Sequence, residues 1–132
     1  PSCYNDIAEV REIEPYVYSQ STHSKYSPRF GNSRLPWLSG TATWAYHTAT
    51  NYILGVQPEY DGLTIDPCIS VEWPGFTTTR VFRGMNLNIE VRNPDGIQKG
   101  IKELSVNDEL IKGKYIPLDK LSDGCKILAV MG

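Results

Sequence analysis

The pattern of apolar and polar residues divides this 132-residue chain into two unlike halves. Over residues 1–57, stretches with helical periodicity alternate with loops. Over residues 62–131, short apolar runs separated by turn residues predict about six β-strands. Because strands at this spacing are typical of two packed sheets, we expect an α+β chain whose second half is a β-sandwich.

One helix stands out in the first half. From Thr41 onwards, apolar residues recur at positions i, i+3, i+4 and i+7, and Gly55 and Pro58 are good stop signals. Three threonines lower its helix propensity, so the helix needs tertiary packing to form. The polar stretch 19–40 before it is interrupted by prolines and a glycine, and it predicts a long loop. Loops of this length are usually functional, and its aromatic residues argue against disorder.

The strand predictions in the second half follow from alternation and turn signals. In residues 85–92, three apolar residues alternate with polar ones, and residues 77–82 pair with them about Arg83-Gly84. Asn93-Pro94-Asp95-Gly96 is a strong turn. Further strands are predicted at residues 63–65, 101–106, 110–111, 115–118 and 126–130.

Charge is distributed unevenly along the chain. The net charge of −2 gives no support for a nucleic-acid partner or an anionic membrane. Residues 15–58 contain no Asp or Glu, yet they hold both histidines and three basic residues: His23, His47, Lys25, Arg29 and Arg34. Such a region suggests an anion nearby. A loop whose ion-pair partners lie elsewhere in the chain would explain it equally well.

Other features narrow the class of protein. No apolar run is long enough to span a bilayer and no signal peptide is visible. The three cysteines, Cys3, Cys68 and Cys125, are widely spaced and form no CxxC motif, so we expect isolated thiols and no metal site. These features predict a cytoplasmic protein without a membrane partner. The chain begins at Pro1, which fits processing, truncation or the later part of a longer protein.

The strongest candidate chemistry lies at Ser39-Gly40-Thr41, where the predicted helix begins. Helix N-termini present unpaired backbone N–H groups and a partial positive charge, and glycine allows a ligand to approach the backbone closely. Together with flanking hydroxyls, these make a small anion cradle. The alternative is an ordinary helix cap, since Ser and Thr are common caps. The surroundings without acidic residues favour the anion, and the same region offers no carboxylate as general acid or base.

Long motifs resemble the C-terminal region of inverting glycoside phosphorylases. These enzymes are the cellobiose and chitobiose phosphorylases of glycoside hydrolase family 94, formerly glycosyltransferase family 36. The loop THSKYSPRFG is more similar to the chitobiose type. The motifs cover almost the whole chain: EPYVYSQ (14–20), PRFG (28–31), PWLSGTATW (36–44), NYILGVQPEYDGLTIDPCI (51–69) and FRG…NIEVRNP (82–94).

The resemblance implies a full chain several times longer than this one. Such a chain has an N-terminal β-sandwich, an (α/α)6 catalytic barrel and a C-terminal, mainly antiparallel two-layer β-sandwich. Residues 1–60 would be the C-terminal end of the barrel, and residues 61–132 would be the C-terminal domain. The rest of the barrel is then an expected partner, and the full-length enzyme is expected to be a homodimer.

The activity that the resemblance implies is reversible phosphorolysis of a β-linked disaccharide of the cellobiose or N,N′-diacetylchitobiose type. Inorganic phosphate attacks the anomeric carbon with inversion, a carboxylic acid protonates the leaving oxygen, and the product is a sugar 1-phosphate. Phosphate is a substrate, and no cofactor is expected. The general acid, an Asp, is expected upstream, so we expect the chain alone to be inactive.

The family's site residues map onto this sequence only in part. Ser39 and Gly40 match the phosphate-binding positions, with Thr41 beside them, and Gln20 matches a glutamine near the sugar. His23, Arg29 and Arg34 are candidates for lining the same site. An alternative is a non-catalytic carbohydrate-binding or structural β-sandwich module, in which Tyr60 and Trp73 could stack on sugars. The helical first half argues against this alternative, because a stand-alone module does not need it.

Overall fold

The structure, a computed structural model, describes residues 5–14 and 17–132. Its contacts divide the chain into two compact units, Pro1–His47 and Thr48–Gly132. The domain boundary predicted at residue 60 concerns the architecture of a longer protein and stays a prediction, as does the assignment of the first part to a barrel.

In its described residues, the first unit contains one helix, a β-hairpin and most of a second helix, which ends at Thr48. In β1 and β2, Ser19 lies opposite Pro36 and Thr22 lies opposite Ser33 in an antiparallel register. The sequence predicted a loop over this stretch, because each strand is only four residues long and mostly exposed, which leaves no alternating pattern to detect. The elements are α1 (Asn5–Arg11), β1 (Ser19–Thr22), β2 (Ser33–Pro36) and α2 (Thr41–Thr48).

The predicted helix from Thr41 is confirmed. Its α-helical part is followed by a π-helical turn, Ala49–Ile53, in which the Leu54 amide donates a hydrogen bond to the Ala49 carbonyl (2.8 Å). Gly55 then adopts a positive φ of 68°, which ends the helix as the sequence predicted.

The second unit is built of two sheets. A five-stranded sheet has the order β5-β6-β10-β7-β8, and a three-stranded sheet has the order β3-β4-β9. Among the described strands, only the pair β6–β10 is parallel. The strands are β3 (Val56–Pro58), β4 (Gly62–Ile65), β5 (Gly75–Phe82), β6 (Met85–Arg92), β7 (Glu103–Val106), β8 (Glu109–Ile111), β9 (Tyr115–Pro117) and β10 (Lys126–Val130).

Alternation along the strands builds the core of this unit. In β6, Leu87, Ile89 and Val91 are at most 2% exposed, while the residues between them face outwards. Side chains from the three-stranded sheet, such as Leu63 and Ile116, belong to the same buried cluster. The two sheets therefore share one core, and the prediction of mainly antiparallel sheets is confirmed. Strand β3 was not predicted, because its three residues end in a proline.

Candidate functional site

The hairpin of the first unit brings together two motifs that are distant in sequence. The hydroxyl of Ser39 donates a hydrogen bond to the carbonyl oxygen of Tyr18 (3.5 Å). Next along β1, Ser19 pairs with Pro36. The strand that carries Gln20 and the segment that leads into α2 therefore lie side by side. These are the segments predicted to bind sugar and phosphate.

The backbone at the start of α2 is accessible from outside the described residues. The first helical hydrogen bond runs from the Trp44 amide to the Gly40 carbonyl (3.2 Å). A Cβ built on Gly40 would meet only Cδ1 of Trp44 at 3.9 Å, an ordinary contact, and no positive φ is recorded there. Neither backbone conformation nor packing within the described residues requires glycine at this position. What glycine does provide is close access to the first turn of the helix.

Ser39 also makes the capping contact that the alternative reading of the sequence allowed. Its hydroxyl accepts a hydrogen bond from the Thr41 amide at 3.4 Å. Both bonds of this hydroxyl are longer than the usual range for protein hydrogen bonds. An anion accepts shorter and stronger bonds from N–H donors than a neutral hydroxyl does, so the two roles are compatible.

The backbone before Ser39 is strained. Leu35 has φ of 50° and Trp37 has φ of 69°, so both lie in the left-handed region that residues with a Cβ seldom adopt. Such strain tends to cluster at functional sites. Sequence reasoning missed it, because neither residue is one of the glycine or asparagine types that signal this conformation.

His23 and Arg34 continue the hairpin. The His23 amide and carbonyl bond to Asn32 and Gly31 at 2.9 and 3.1 Å, and its Nδ1 is hydrogen-bonded to the Ser27 hydroxyl at 3.1 Å. Arg34 is exposed and lies opposite Ser21 in the register. Because side chains alternate along a strand, Arg34 points to the opposite face of the hairpin from Gln20.

Arg29 lies beside carboxylates that the sequence pattern could not place. It lines a cavity of about 450 Å³ whose other lining residues include Glu9 and Glu12. The side-chain Nδ2 of Asn32 donates a hydrogen bond to Glu12 Oε2 (2.7 Å). Acidic side chains from an earlier part of the chain therefore lie near one part of the stretch that has no Asp or Glu of its own. This is the arrangement that an explanation by neighbouring acidic residues requires. That Arg29 lines the phosphate site stays a prediction.

The aromatic residues of the alternative prediction lie in the second unit. Tyr60 is 91% exposed, its carbonyl accepts a hydrogen bond from Arg83, and its ring lies 5.8 Å from that guanidinium group. Trp73 is 44% exposed. In the part of the chain that the structure describes, no group of three or more potential ligands is placed to hold a metal ion. No helix in that part is long and apolar enough to cross a membrane.

The class of protein is given by the family comparison. Residues 1–55, which include the hairpin and the whole of α2, match the family described as "Glycosyl hydrolase 94 superfamily, catalytic domain". Together with relatives that are 44% and 45% identical to the chain, this match confirms the resemblance predicted from the motifs, and the chain belongs to the glycoside hydrolase 94 family.

Individual relatives are disaccharide phosphorylases. The chain is 44% identical over all of its 132 residues to N,N′-diacetylchitobiose phosphorylase of Vibrio proteolyticus. It is 45% identical over 84% of its length to the enzyme of the same name from Vibrio furnissii, and 34% identical over 80% to solabiose phosphorylase of Paenibacillus borealis. The chain spans 16%, 14% and 14% of these relatives, respectively.

Proposed function

We propose that this chain supplies part of the phosphate and sugar site of an inverting glycoside phosphorylase. The observation that carries the proposal is the hydrogen bond from Ser39 to the Tyr18 carbonyl, because it joins the helix start to the strand that carries Gln20. The names of the relatives support a β-linked disaccharide of the N,N′-diacetylchitobiose type as substrate. The full enzyme would be a cytoplasmic homodimer in which the rest of the barrel completes the site.

The phosphate would bind at the first turn of α2. There the backbone amides of residues 41–43 have no partner within the helix, and the helix dipole favours negative charge. The hydroxyl of Ser39 can turn from the Tyr18 carbonyl to donate to a phosphate oxygen. Gly40 allows the anion to reach the backbone, since a side chain there would occupy the approach.

The sugar would lie towards β1. The amide of Gln20 offers both donors and acceptors, which suits the hydroxyl groups of a pyranose ring. Phosphate attacks the anomeric carbon from the face opposite the leaving oxygen, so the configuration inverts. A carboxylic acid must protonate that oxygen, and in this proposal it comes from outside residues 1–132. Arg34 is exposed on the hairpin but points to the face opposite Gln20, so the proposal gives it no contact with the sugar.

Gly40→Ala tests this assignment sharply, because the structure leaves room for the added methyl group. We expect the variant to fold as the parent does but to bind inorganic phosphate at least tenfold more weakly, about 1.4 kcal/mol, by calorimetry. Thr48→Ala, an exposed position in the last turn of the same helix, is the matched control and should change the affinity less than twofold. Equal phosphate affinity of Gly40→Ala and the parent would refute the assignment.

A further inference from the structure

The outward face of the five-stranded sheet carries a second cleft, with a volume of about 960 Å³. The alternation of side chains along the strands determines which residues form the floor of this cleft. In β6 the apolar side chains are buried in the core, so Asn88, Glu90 and Arg92 face outwards. Thr77 and Thr79 of β5 are exposed next to them. None of the residues proposed above to bind phosphate or sugar lines this cleft.

The strand register arranges the polar groups in two rows across the sheet. One row runs Thr79, Asn88, Lys126, and the other runs from Thr77 through Glu90 and Leu128 to Ser105. Because neighbouring strands lie about 4.8 Å apart, a row across four strands extends roughly 14 Å. The cleft therefore presents an extended set of hydrogen-bonding groups. Its volume lies at the upper end of the range found for small-molecule sites.

Ser105 is the most informative member of these rows. It is only 6% exposed although it is polar, and it lines the cleft. Among the residues that the structure describes, none is hydrogen-bonded to its hydroxyl. No buried side-chain polar atom of the described residues lacks a partner, so this hydroxyl is reached by solvent from the cleft and is open to a ligand. The exposed hydroxyls of Thr77 and Thr79 are likewise available for a ligand.

The charges in the lining cancel. Two carboxylates, Glu90 and Asp108, are balanced by Arg92 and Lys126, and Glu90 is paired with Arg92 at 2.6 Å. The described lining therefore favours neither an anion nor a cation. It contains no aromatic ring, so a ligand would be held mainly by hydrogen bonds to hydroxyl, amide and paired charged groups. The chemistry that matches is a neutral molecule with many hydroxyl groups.

We propose that this cleft binds a neutral oligosaccharide, at a site separate from the one that holds phosphate. The two rows would contact successive sugar units, and the hydroxyl of Ser105 would bond to the ligand. Without aromatic stacking the binding is weak, with a Kd on the order of 1 mM. The site would hold a longer carbohydrate chain along the five-stranded sheet. This proposal does not depend on the function proposed for the first unit.

The proposal is tested by titrating the ¹⁵N-labelled 132-residue chain with N,N′-diacetylchitobiose, tetra-N-acetylchitotetraose and cellotetraose. We expect saturable shifts of backbone amides in β5, β6 and β10, larger with the tetrasaccharides. The double variant Thr77→Val, Thr79→Val keeps β-branched side chains but removes two hydroxyls, and it should weaken binding at least tenfold. Ser105→Ala, a smaller change, should weaken it at least threefold. Thr64→Val in β4, outside the cleft, is the control and should bind like the parent.

Three results would overturn the proposal. They are the absence of shifts in these strands with all three sugars, unchanged affinity of the variants, and shifts in the cleft with inorganic phosphate in place of sugar. If the double variant loses the spectrum of the folded sheet, Ser105→Ala alone decides, because it deletes a single oxygen atom.

Discussion

Asp66 shows how single residues stabilise the second unit. Its side chain is 14% exposed and receives Lys114 Nζ at 2.9 Å and Lys99 Nζ at 3.4 Å. Burial by itself would raise the pKa of this carboxyl group. The hydrogen bonds and positive charges of the two lysines outweigh burial, and the pKa is lowered. Asp66 therefore stabilises the fold in its ionised form.

This arrangement predicts a pH dependence of stability. The pKa of Asp66 is lower in the folded state than in the unfolded state. Its ionised carboxylate therefore contributes to the free energy of unfolding above the unfolded-state pKa of about 3.9, and this contribution is lost as the pH falls through the folded-state pKa. Asp66→Asn should reduce the free energy of unfolding at pH 7 by about 1–3 kcal/mol in urea titrations. The difference from the parent should shrink below pH 4.

Asp95→Asn is the control for this prediction. The Asp95 carboxylate lies 4.0 Å from Lys102 Nζ and is 54% exposed, so the pair should contribute at most about 1 kcal/mol. A difference between Asp66→Asn and the parent that stays constant from pH 7 to pH 3 would show that the charge of Asp66 is not what stabilises the fold.

At the scale of elements, Asn93 ties two loops together. It is 4% exposed, and its side-chain nitrogen donates hydrogen bonds to the carbonyls of Trp73 (3.1 Å) and Ile97 (2.9 Å). Its side-chain oxygen accepts a hydrogen bond from the Ile97 amide at 2.9 Å. One buried amide thus satisfies three backbone groups, and it connects the turn after β6 to the loop before β5.

Asn93→Ala should therefore destabilise the chain by about 2–4 kcal/mol, because buried backbone groups lose their partners. Asn88→Ala is the control, since Asn88 is exposed and its side chain makes one bond, to the Gly124 carbonyl at 3.2 Å. We expect it to cost less than about 1 kcal/mol in the same urea titration. Similar losses for both variants would contradict this account of the turn.

Elements with a strong local signal were predictable from the sequence. Strand β6 alternates between apolar and polar residues over its eight positions, and Arg83 and Gly84 turn between β5 and β6 with positive φ. Strands β1 and β2 gave no such signal. They are held by pairing and by contacts with α1, such as the hydrogen bond from Arg11 Nε to the Ser33 hydroxyl (3.1 Å). Such contacts across the fold leave no periodic trace in the sequence.

The same limit applies to the candidate site. The helix start at Ser39 and Gly40 could be predicted, because hydroxyl and glycine residues before a periodic stretch have a local physical meaning. The strained lead-in at Leu35 and Trp37 and the hydrogen bond to Tyr18 depend on chain folding. The acidic neighbours of Arg29 come from α1 and from the residue that follows it, so charge counting along the chain could not reveal them.

At the scale of the whole molecule, this chain represents a small share of its relatives. It spans 14–16% of three disaccharide phosphorylases, and α2 contains no buried residue. Trp44 and Tyr46 on this helix are each 70% exposed. Large exposed aromatic side chains on one helix are typical of a surface that another part of a protein covers. The proposal that the rest of a barrel completes the site accounts for this surface.

The isolated chain should not catalyse phosphorolysis. Without a carboxylic acid to protonate the leaving oxygen, the sugar bond should stay intact even where phosphate and disaccharide bind. The measurement is sugar 1-phosphate formation from N,N′-diacetylchitobiose or cellobiose with phosphate, for which we expect no rate above the blank. Turnover by the purified chain would mean that the general acid lies within residues 1–132.

The central claim is that phosphate binds at the start of α2, and the location of phosphate on the chain tests it most directly. Inorganic phosphate is titrated into the ¹⁵N-labelled chain, and backbone amide shifts are followed residue by residue. We predict saturable shifts centred on Gly40 and on the first turn of α2, with smaller ones near Gln20. Shifts confined to residues 48–132, or no saturable shift near Gly40, would contradict the account.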